Sequence, residues 1–447
     1  MSDNRGQWAS KFGFIMAAAG SAVGLGNIWR FPYLTGQNGG AAFVVVYILC
    51  VVVVGAPMLM NEMALGRLTG KNAIGAFRET GGNIFWTLAG GVLAIAVSFF
   101  VLSYYTVIAG WTVGYIFTSI TNSPIPFKEF IATPSYVMPL FGLAMLSTII
   151  IVLGGISGGI EKATKIMMPL LFLLLLVTII RSLTLDGAGA GVSYYLVPDF
   201  SKINGTTVLK ALTQSFFSLG VGWGIMITYG SYLPKNQSIV SSSLWVGAMD
   251  TSVALLAGLM VFPAVFAFGM QPNQGPTLVF EVLANIFPRM PFGNIAGAFF
   301  FLLLFIAAIT STISMVEVVG AWLIDSKKWN RKKATWTVGI AAFVVGTPAA
   351  LSNGSSEFFS NMQLFGHTGL LDIMDHIFGT VCMLIVVLVT CLYSGWVFQT
   401  NKIIDEINEG SPYFKTTALA GIWKFFLQFI CPVIIIIVVL SVTGVMG

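Results

Sequence analysis

Residues 20–33 read GSAVGLGNIWRFPY, an apolar run with glycine at positions 20, 24 and 26. Residues 214–224 read QSFFSLGVGWG and repeat the pattern, with glycine at positions 220, 222 and 224. Glycine costs about 1 kcal/mol at each helical position relative to alanine. The two clusters therefore predict two interrupted helices, although small residues of this kind would also let two unbroken helices pack closely.

The composition of the whole chain places these stretches in a membrane. Only 9% of the 447 residues are charged and 56% are hydrophobic, whereas a soluble domain carries roughly 25% charged residues. This composition excludes soluble enzymes, nucleic-acid-binding proteins and disordered scaffolds. The chain is predicted to be an integral membrane protein surrounded by the lipid bilayer, and no obligate protein partner is evident from the sequence.

Eleven stretches are long enough to form membrane-spanning helices, which need about 20 apolar residues. We number them segments one to eleven, and they cover residues 11–35, 41–65, 84–119, 137–155, 163–184, 207–232, 240–270, 297–325, 334–351, 369–397 and 419–446. No linker divides the chain, so a single domain is expected over residues 1–447. It consists of segments one to five (1–184), segments six to ten (207–397) and segment eleven (419–446).

Lysine and arginine positions orient the segments, because cytoplasmic loops are enriched in both residues. Most of the 22 lysines and arginines fall on the inside when the N-terminus is cytoplasmic. With an odd number of segments, the C-terminus is then extracellular, and the expected location is the cell membrane. The net charge of +5 reflects this asymmetry and does not indicate a nucleic-acid partner.

The two glycine clusters occupy corresponding positions, in the first helix of each five-helix half. This arrangement is typical of secondary transporters with inverted repeats, which bind substrate between the breaks. The N–H groups that begin a half-helix suit a carboxylate, and the exposed carbonyls that end one suit a hard cation. The breaks therefore predict one shared site for an anion and Na⁺.

Segment eight carries a polar stripe on an otherwise apolar helix. Ala307, Thr310, Ser311 and Ser314 recur at helical spacing. Hydroxyl oxygens are suitable ligands for a hard cation. Buried serine and threonine also bond back to carbonyls of their own helix, so two interpretations of the stripe are open.

Three carboxylates lie inside the segments, where a charge costs about 2.5–3.5 kcal/mol even on insertion scales. Glu62 and Glu317 are interpreted as structural acceptors for backbone or hydroxyl donors. Asp250 is the candidate cation ligand, because its helix packs beside segment six in an inverted repeat of this type.

Two other classes of membrane protein fit the sequence less well. A channel would need a continuous polar stripe or a ring of charge, whereas the polar residues of this chain concentrate at mid-membrane. An intramembrane enzyme would need a catalytic set. His367 and His376 lie near the outer edge of segment ten, no HExxH motif occurs, and Ser311 has no base within its own helix. The chain is predicted not to be an enzyme.

On four motifs the sequence resembles the neurotransmitter:sodium symporter family, and the match extends over nearly the whole chain. The motifs are AAAGSAVGLGNIWRFPY (17–33), GGAAF (39–43), QSFFSLGVGWG (214–224) and AAITSTIS (307–314). The resemblance implies an all-α integral membrane protein with eleven transmembrane helices in a LeuT-type 5+5 inverted repeat, in which helices 1 and 6 unwind at mid-membrane. It also implies sodium-coupled import of amino acids by alternating access.

The resemblance further implies three sets of binding residues. The substrate site would consist of Ser21, Ala22, Gly24, Leu25, Gly26, Val101, Tyr105, Phe217, Ser218, Gly220, Trp223, Ser311 and Met315. The first sodium site would consist of Ala22, Asn27, Ser218 and Asp250. The second sodium site would consist of Gly20, Val23, Ala307, Thr310 and Ser311.

An outer gate is also implied by the resemblance. Tyr105 would hold the substrate carboxylate and form an aromatic lid with Phe217. An ion pair between Arg30 and Asp375 would lie above this lid. Arg30 could instead anchor its helix at the lipid headgroups, and Asp375 could cap an irregular turn.

On the cytoplasmic side, the resemblance implies a latch between Arg5 and Asp325, assisted by Trp8. Trp8 could equally be an interfacial tryptophan. Segment five has a second feature at its cytoplasmic end, where Gly159 and Pro169 flank nine residues. Proline removes a helical hydrogen bond and glycine loosens the turn, so this end either unwinds to admit water toward the second sodium site or contains a fixed kink.

Differences from family relatives narrow the expected substrate. Monoamine transporters carry aspartate where this chain has Gly24, so a substrate that brings its own carboxylate is favoured over an amine. Gly220 stands where a relative has serine, which leaves room for a bulky side chain. The rest of the lining is apolar or aromatic and predicts hydrophobic and aromatic L-amino acids: Leu25, Val101, Phe217, Trp223 and Met315.

Chloride-dependent relatives form an anion site at the positions of Tyr47, Gln214, Ser218, Asp250 and Ala254. In this chain, Asp250 and Ala254 replace the usual asparagine and serine. The Asp250 carboxylate would supply the negative charge that chloride otherwise brings. Chloride is therefore predicted not to be required.

Overall fold

A computed structural model describes residues 6–123, 125–272, 280, 287 and 292–444. Within these residues, nine continuous helices are long and apolar enough to cross a bilayer. They correspond to segments two to five and seven to eleven: Ala41–Thr69, Ile84–Ile120, Pro134–Leu153, Ile156–Leu183, Ile239–Ala267, Gly293–Lys327, Arg331–Leu351, Leu370–Val397 and Leu419–Val442. The prediction of an all-helical membrane protein is confirmed.

Segments one and six are both interrupted. Segment one consists of the helices Lys11–Ala22 and Gly26–Gln37, which are bent by 48° and raise the number of candidate spans to ten when taken as one span. Segment six consists of Gly205–Leu219 and Ile225–Gly230, separated by residues 220–224. Neither piece is long enough to cross a bilayer alone. The structure therefore supports nine or ten spans, and the predicted eleventh depends on taking segment six as one span.

Short elements connect the long helices. The described connections include a two-stranded antiparallel hairpin, Gln363–Leu364 with His367–Thr368. They also include six short α-helices and a short 3₁₀ turn: Ala73–Glu79, Phe127–Ala132, Ala188–Leu196, Glu357–Ser360, Thr400–Glu409, Tyr413–Thr416 and Phe200–Lys202. These elements lie between the segments, and some of them add buried side chains to the core that the helices form, for example Phe77 and Ile403.

Segment eight is the central helix of the bundle. Of its most apolar stretch, 83% is buried inside the protein, against 28% for segment eleven. Segment eleven therefore lies at the periphery, where its apolar residues face lipid. The polar stripe of segment eight consequently faces other helices and not the bilayer.

Glycine conformation produces the break in segment six. Gly220, Gly222 and Gly224 have φ angles of +64°, +85° and +69°, in the left-handed region that other residues avoid. The Gly222 N–H, which has left the helix, donates to Glu62 Oε1 at 2.8 Å. Glu62 is thus an acceptor for backbone, as expected, and the break is tied to segment two.

Segment five is helical throughout Ile156–Leu183 in this structure, so the residues between Gly159 and Pro169 are folded. Gly159 packs against the preceding turn, where a Cβ would lie 2.1 Å from the Ile151 carbonyl oxygen. Unwinding of this end stays a prediction.

Replacing Gly222 by alanine tests whether the break requires glycine. An alanine Cβ would lie 2.6 Å from the Met383 carbonyl oxygen, and the left-handed conformation itself costs roughly 1–2 kcal/mol for an L-residue. Gly222→Ala is expected to lower the melting temperature of the purified protein, followed by intrinsic fluorescence. Gly320→Ala is the control, because a Cβ meets nothing within 4 Å in the helix of segment eight. Equal melting temperatures for the two variants would contradict this account.

Candidate functional site

The break in segment one exposes main-chain donors to the protein interior. The Gly24 N–H donates to Asn27 Oδ1 at 3.0 Å, and the Leu25 N–H donates to the Tyr105 hydroxyl at 2.7 Å. On segment six, Gln214 Nε2 donates to the Gly26 carbonyl at 2.8 Å. Side chains of segments three and six thus replace the hydrogen bonds that the helix has lost.

A buried carboxylate lies beside this break. Asp250 Oδ1 accepts from Asn27 Nδ2 at 2.7 Å and from Ser218 Oγ at 2.9 Å. Tyr47 Oη donates to Asp250 Oδ2 at 3.2 Å. The three side chains predicted for the first sodium site, Asn27, Ser218 and Asp250, are therefore in mutual contact. All the hydrogen-bond partners of this carboxylate are neutral, so its negative charge is available to a cation.

The hydroxyls of segment eight lie across from segment one. Ser311 Oγ donates to the Ser21 carbonyl at 3.2 Å and to the Ala307 carbonyl at 3.3 Å. Thr310 Oγ1 approaches the carbonyls of Ile306 and Ala307 at 3.0 Å each. Bonding back to the same helix is thus realised in this structure, together with two contacts to segment one, since Ser314 Oγ also accepts from Ser21 Oγ at 2.6 Å.

Gly20 and Val23, two main-chain members of the predicted second sodium site, lie near the end of the first half-helix, and Gly20 borders Thr310. A Cβ on Gly20 would lie 3.4 Å from Thr310 Cβ, so the two segments touch at this position. The Val23 N–H closes the first half-helix by donating to the Ala19 carbonyl at 2.7 Å. Within the break, the Gly24 carbonyl accepts from the Asn27 N–H of the second half-helix at 3.2 Å.

A small inner cavity lies between the two breaks. Its volume is about 10 Å³, the scale of a single water. All of its lining residues belong to the predicted substrate set: Ser21, Ala22, Gly24, Gly26, Tyr105, Phe217, Gly220, Trp223, Ser311 and Met315. The other members of the set, Leu25, Val101 and Ser218, are buried but do not line it.

A larger outer cavity of about 290 Å³ adjoins the inner one. Gly26, Tyr105 and Phe217 line both cavities. The two aromatic rings therefore stand between them, where the lid was predicted.

The predicted ion pair between Arg30 and Asp375 is not formed in this structure. Both side chains line the outer cavity. The Arg30 guanidinium lies over the Phe217 ring, 4.3 Å from its centroid, and Asp375 Oδ1 accepts from the Tyr104 hydroxyl at 2.8 Å. Other partners thus hold both charged groups, a cation–π contact in one case and a hydroxyl in the other.

The end that carries the N-terminus is closed by Trp8. This side chain is 3% exposed, which rules out an interfacial position in this structure. Its Nε1 donates to the Tyr229 carbonyl at 3.0 Å, and its ring packs edge-on against those of Tyr229 and Tyr232. Asp325 accepts from Asn72 Nδ2 at 2.7 Å. Arg5, the predicted partner of Asp325, lies outside the described residues.

Glu317 has the partners expected of a structural acceptor. The Tyr232 hydroxyl donates to it at 2.7 Å and Arg331 pairs with it at 2.6 Å. Because Tyr232 also contacts Trp8, this buried ion pair adjoins the closed end.

Several positioning residues were missed from the sequence. Ser98 Oγ donates to the Trp223 carbonyl at 2.5 Å. Glu161 Oε2 accepts from the Ala9 N–H at 2.7 Å, which ties the start of segment five to the N-terminal stretch. Each contact joins residues far apart in the chain, and no local pattern signals it.

An all-helical membrane protein with two interrupted helices around a cavity, beside a buried carboxylate, has the architecture of a secondary transporter. The chain matches the profile of the Sodium:neurotransmitter symporter family over residues 5–136 and 133–446. It belongs to this family. It is accordingly a sodium-dependent, multi-pass membrane transporter and not an enzyme.

Individual relatives agree with this membership. The chain is 41% identical to the sodium-dependent transporter YhdH of Bacillus subtilis, over 99% of this chain and 98% of the relative. It is 34% identical to a sodium-dependent transporter of Haemophilus influenzae, over 98% of each chain. Among solved structures, a crystal structure of MhsT in complex with L-phenylalanine superposes with a TM-score of 0.89 at 39% identity, over 98% of this chain and 100% of that one. The fold is therefore LeuT-like.

Gly24 offers a direct test of the site geometry. A Cβ at this position would lie 2.6 Å from both the Tyr105 hydroxyl and Ser311 Oγ. Gly24→Ala is expected to displace these hydroxyls and to reduce sodium-dependent ligand binding by at least about tenfold, a loss of roughly 1.4 kcal/mol. Gly247→Ala is the matched control, since a Cβ there meets nothing within 4 Å in the helix that carries Asp250. Scintillation proximity binding would measure both, and unchanged binding by Gly24→Ala would refute the proposed crowding.

Proposed function

We propose that this protein is a sodium-coupled symporter that imports hydrophobic and aromatic L-amino acids by alternating access. The observation that carries the proposal is the inner cavity, which is lined by residues of both helix breaks, together with the buried Asp250 carboxylate that contacts Asn27 and Ser218 beside those breaks. In the proposed topology, eleven helices span the membrane and the N-terminus is cytoplasmic. Residues 1–184 and 207–397 form the two inverted repeats, and the whole chain is one transporter domain.

The substrate carboxylate is assigned to the break in segment one. The Leu25 N–H and the Tyr105 hydroxyl lie 2.7 Å apart, and both are suitable donors for a carboxylate. The N–H groups at the start of the second half-helix add partial positive charge. A fixed carboxylate at Gly24 is sterically excluded, because a Cβ would collide there with Tyr105 and Ser311. Any carboxylate at this position therefore has to come from the substrate.

The first sodium ion is assigned to Asn27, Ser218, Asp250 and the Ala22 carbonyl. Oxygen donors of this kind suit a hard cation. The Asp250 charge is surrounded by neutral donors and lies in a low-dielectric interior, where an unpaired charge is costly. Na⁺ would balance that charge, which also supports transport without chloride.

The second sodium ion is assigned to the carbonyls of Gly20, Val23 and Ala307 and the hydroxyls of Thr310 and Ser311. These hydroxyls now donate to carbonyls, so their lone pairs are free to accept a cation. The close approach of Gly20 to Thr310 supports this assignment, because it brings segment one next to the hydroxyls of segment eight.

The side-chain end of the substrate is assigned to Phe217, Gly220, Trp223 and Met315. These residues line the inner cavity and are apolar apart from the indole N–H. The solved relative MhsT is described in complex with L-phenylalanine, which supports an amino-acid substrate. Methionine adapts its shape to different partners, in keeping with a broad preference.

The proposed transport cycle uses the closed and open ends of this structure. Trp8 seals the N-terminal end, while the outer cavity reaches Tyr105 and Phe217. Substrate binding would close the aromatic lid of Tyr105 and Phe217 and allow Arg30 to approach Asp375. Release of Trp8 and loosening of segment five between Gly159 and Pro169 would then let water reach the second sodium site.

Uptake into proteoliposomes tests the function. Purified protein is given a panel of labelled L-amino acids with an inward gradient of NaCl, of choline chloride or of sodium gluconate. We expect uptake of hydrophobic and aromatic amino acids with NaCl, none with choline chloride, and little change with sodium gluconate. An inside-negative potential should increase the rate, since each net charge moved contributes about 2.3 kcal/mol per 100 mV. Uptake that is independent of sodium would overturn the proposal, and collapse in gluconate would overturn chloride independence.

Asp250→Asn tests the assignment of the first sodium site. The substitution removes the charge and places an amide donor opposite the donors of Asn27 and Tyr47. The Na⁺ concentration for half-maximal substrate binding should rise at least about tenfold. Tyr47→Phe is the control, because it removes one donor and keeps the carboxylate, so a smaller rise is expected. Equal sodium dependence of Asp250→Asn and the parent protein would exclude Asp250 as a ligand.

A further inference from the structure

The inner cavity contains one polar side chain whose hydrogen-bonding group is unsatisfied. Trp223 lines this cavity and is 3% exposed. Its indole Nε1–H has no acceptor among the residues that the structure describes. The hydroxyls of Ser21, Ser311 and Tyr105, which line the same cavity, all have partners. Among these four polar groups of the cavity, only the Trp223 N–H lacks a partner within the described residues.

Such a group calls for an explanation, because the large majority of buried polar groups in native proteins have a partner. A buried donor without an acceptor is destabilising by the desolvation of its N–H group. Tryptophan Nε1 can only donate, so the group that satisfies it has to be an acceptor. The cavity is where the substrate is proposed to bind, and the substrate can bring that acceptor.

Contacts to the main chain and to the ring restrict the Trp223 side chain. Ser98 Oγ donates to its carbonyl at 2.5 Å. Gly222 and Gly224, on either side, adopt left-handed conformations that set the course of the chain. The ring packs edge-to-face against Phe217, with 5.3 Å between centroids. A fixed main chain and a ring packed against Phe217 restrict the direction of the N–H, and this makes it able to discriminate between ligands.

We propose that Trp223 makes the transporter prefer, among apolar amino acids, those whose side chain carries a hydrogen-bond acceptor such as an ether oxygen or a thioether sulfur. The inference rests on the proposed function, which assigns the substrate carboxylate to Tyr105 and the side chain to the wall formed by Gly220, Trp223 and Met315. A hydrocarbon side chain of equal size leaves the N–H unsatisfied. A site that bonds a polar atom of its substrate discriminates against the analogue that lacks this atom.

Two isosteric pairs of amino acids test the inference. O-methyl-L-serine and L-norvaline differ by an ether oxygen in place of a methylene, and L-methionine and L-norleucine differ by a sulfur. Calorimetry of the purified full-length protein in NaCl measures the four dissociation constants. We expect O-methylserine to bind about tenfold more tightly than norvaline. The ratio of the norleucine to the methionine dissociation constant should be smaller, because a thioether is a weak acceptor.

Two matched variants test whether the affinity ratios depend on the Trp223 indole. Trp223→Phe keeps an aromatic ring and removes the N–H, so the affinity ratio within each pair should fall to about one. Trp111 supplies the control, since its Nε1–H is also buried with no acceptor in the described part of the chain, but the residue lines the outer cavity instead. Trp111→Phe should leave both ratios as they are in the parent protein.

The outcomes separate this inference from the function on which it rests. Binding of both pairs without discrimination by the parent protein overturns the inference and leaves the proposed function standing. A ratio that persists in Trp223→Phe also overturns it. Absence of sodium-dependent binding for all four amino acids overturns the inference and the proposed function together. The affinity ratio of each pair is measured on the parent protein, so the test can be made even if a variant does not fold.

Discussion

Main-chain groups released at two helix breaks, deep in an apolar bundle, are the constraint on which the rest of the structure depends. Backbone polar groups away from water have to be paired. Glu62 satisfies the Gly222 N–H, Tyr105 satisfies the Leu25 N–H, and a segment-six amide satisfies a segment-one carbonyl. The buried side chains of Glu62, Tyr105 and Gln214 are therefore accounted for by the breaks.

The same constraint accounts for the location of the candidate site. An unbroken helix uses its own donors and acceptors and offers a ligand only its side chains. At the breaks, N–H groups and carbonyls become available within one small volume, next to the Asp250 carboxylate. Opposite partial charges thus lie close together, which is what a zwitterion and a cation require.

Access to this volume is asymmetric in the structure. The N-terminal end is closed by Trp8 and by the buried pair of Glu317 and Arg331. On the other side the rings of Tyr105 and Phe217 lie between the inner cavity and the outer one. Arg30 rests on the ring of Phe217, so movement of this lid and rearrangement of the outer charged groups are mechanically linked.

The sequence by itself determined the membrane class, the positions of the long helices, the two breaks and the family, because apolar length and glycine clusters are local properties. It also indicated most residues around the inner cavity, through motifs whose residues match those of relatives. Tertiary structure decided which groups pair. Asn27 meets Asp250 across 223 residues of chain, and Arg30 lies over Phe217 and does not pair with Asp375. The Trp223 donor, which has no acceptor among the described residues, likewise became visible only in the structure, because hydrogen bonding between distant segments depends on how the helices pack and produces no periodic pattern in the sequence.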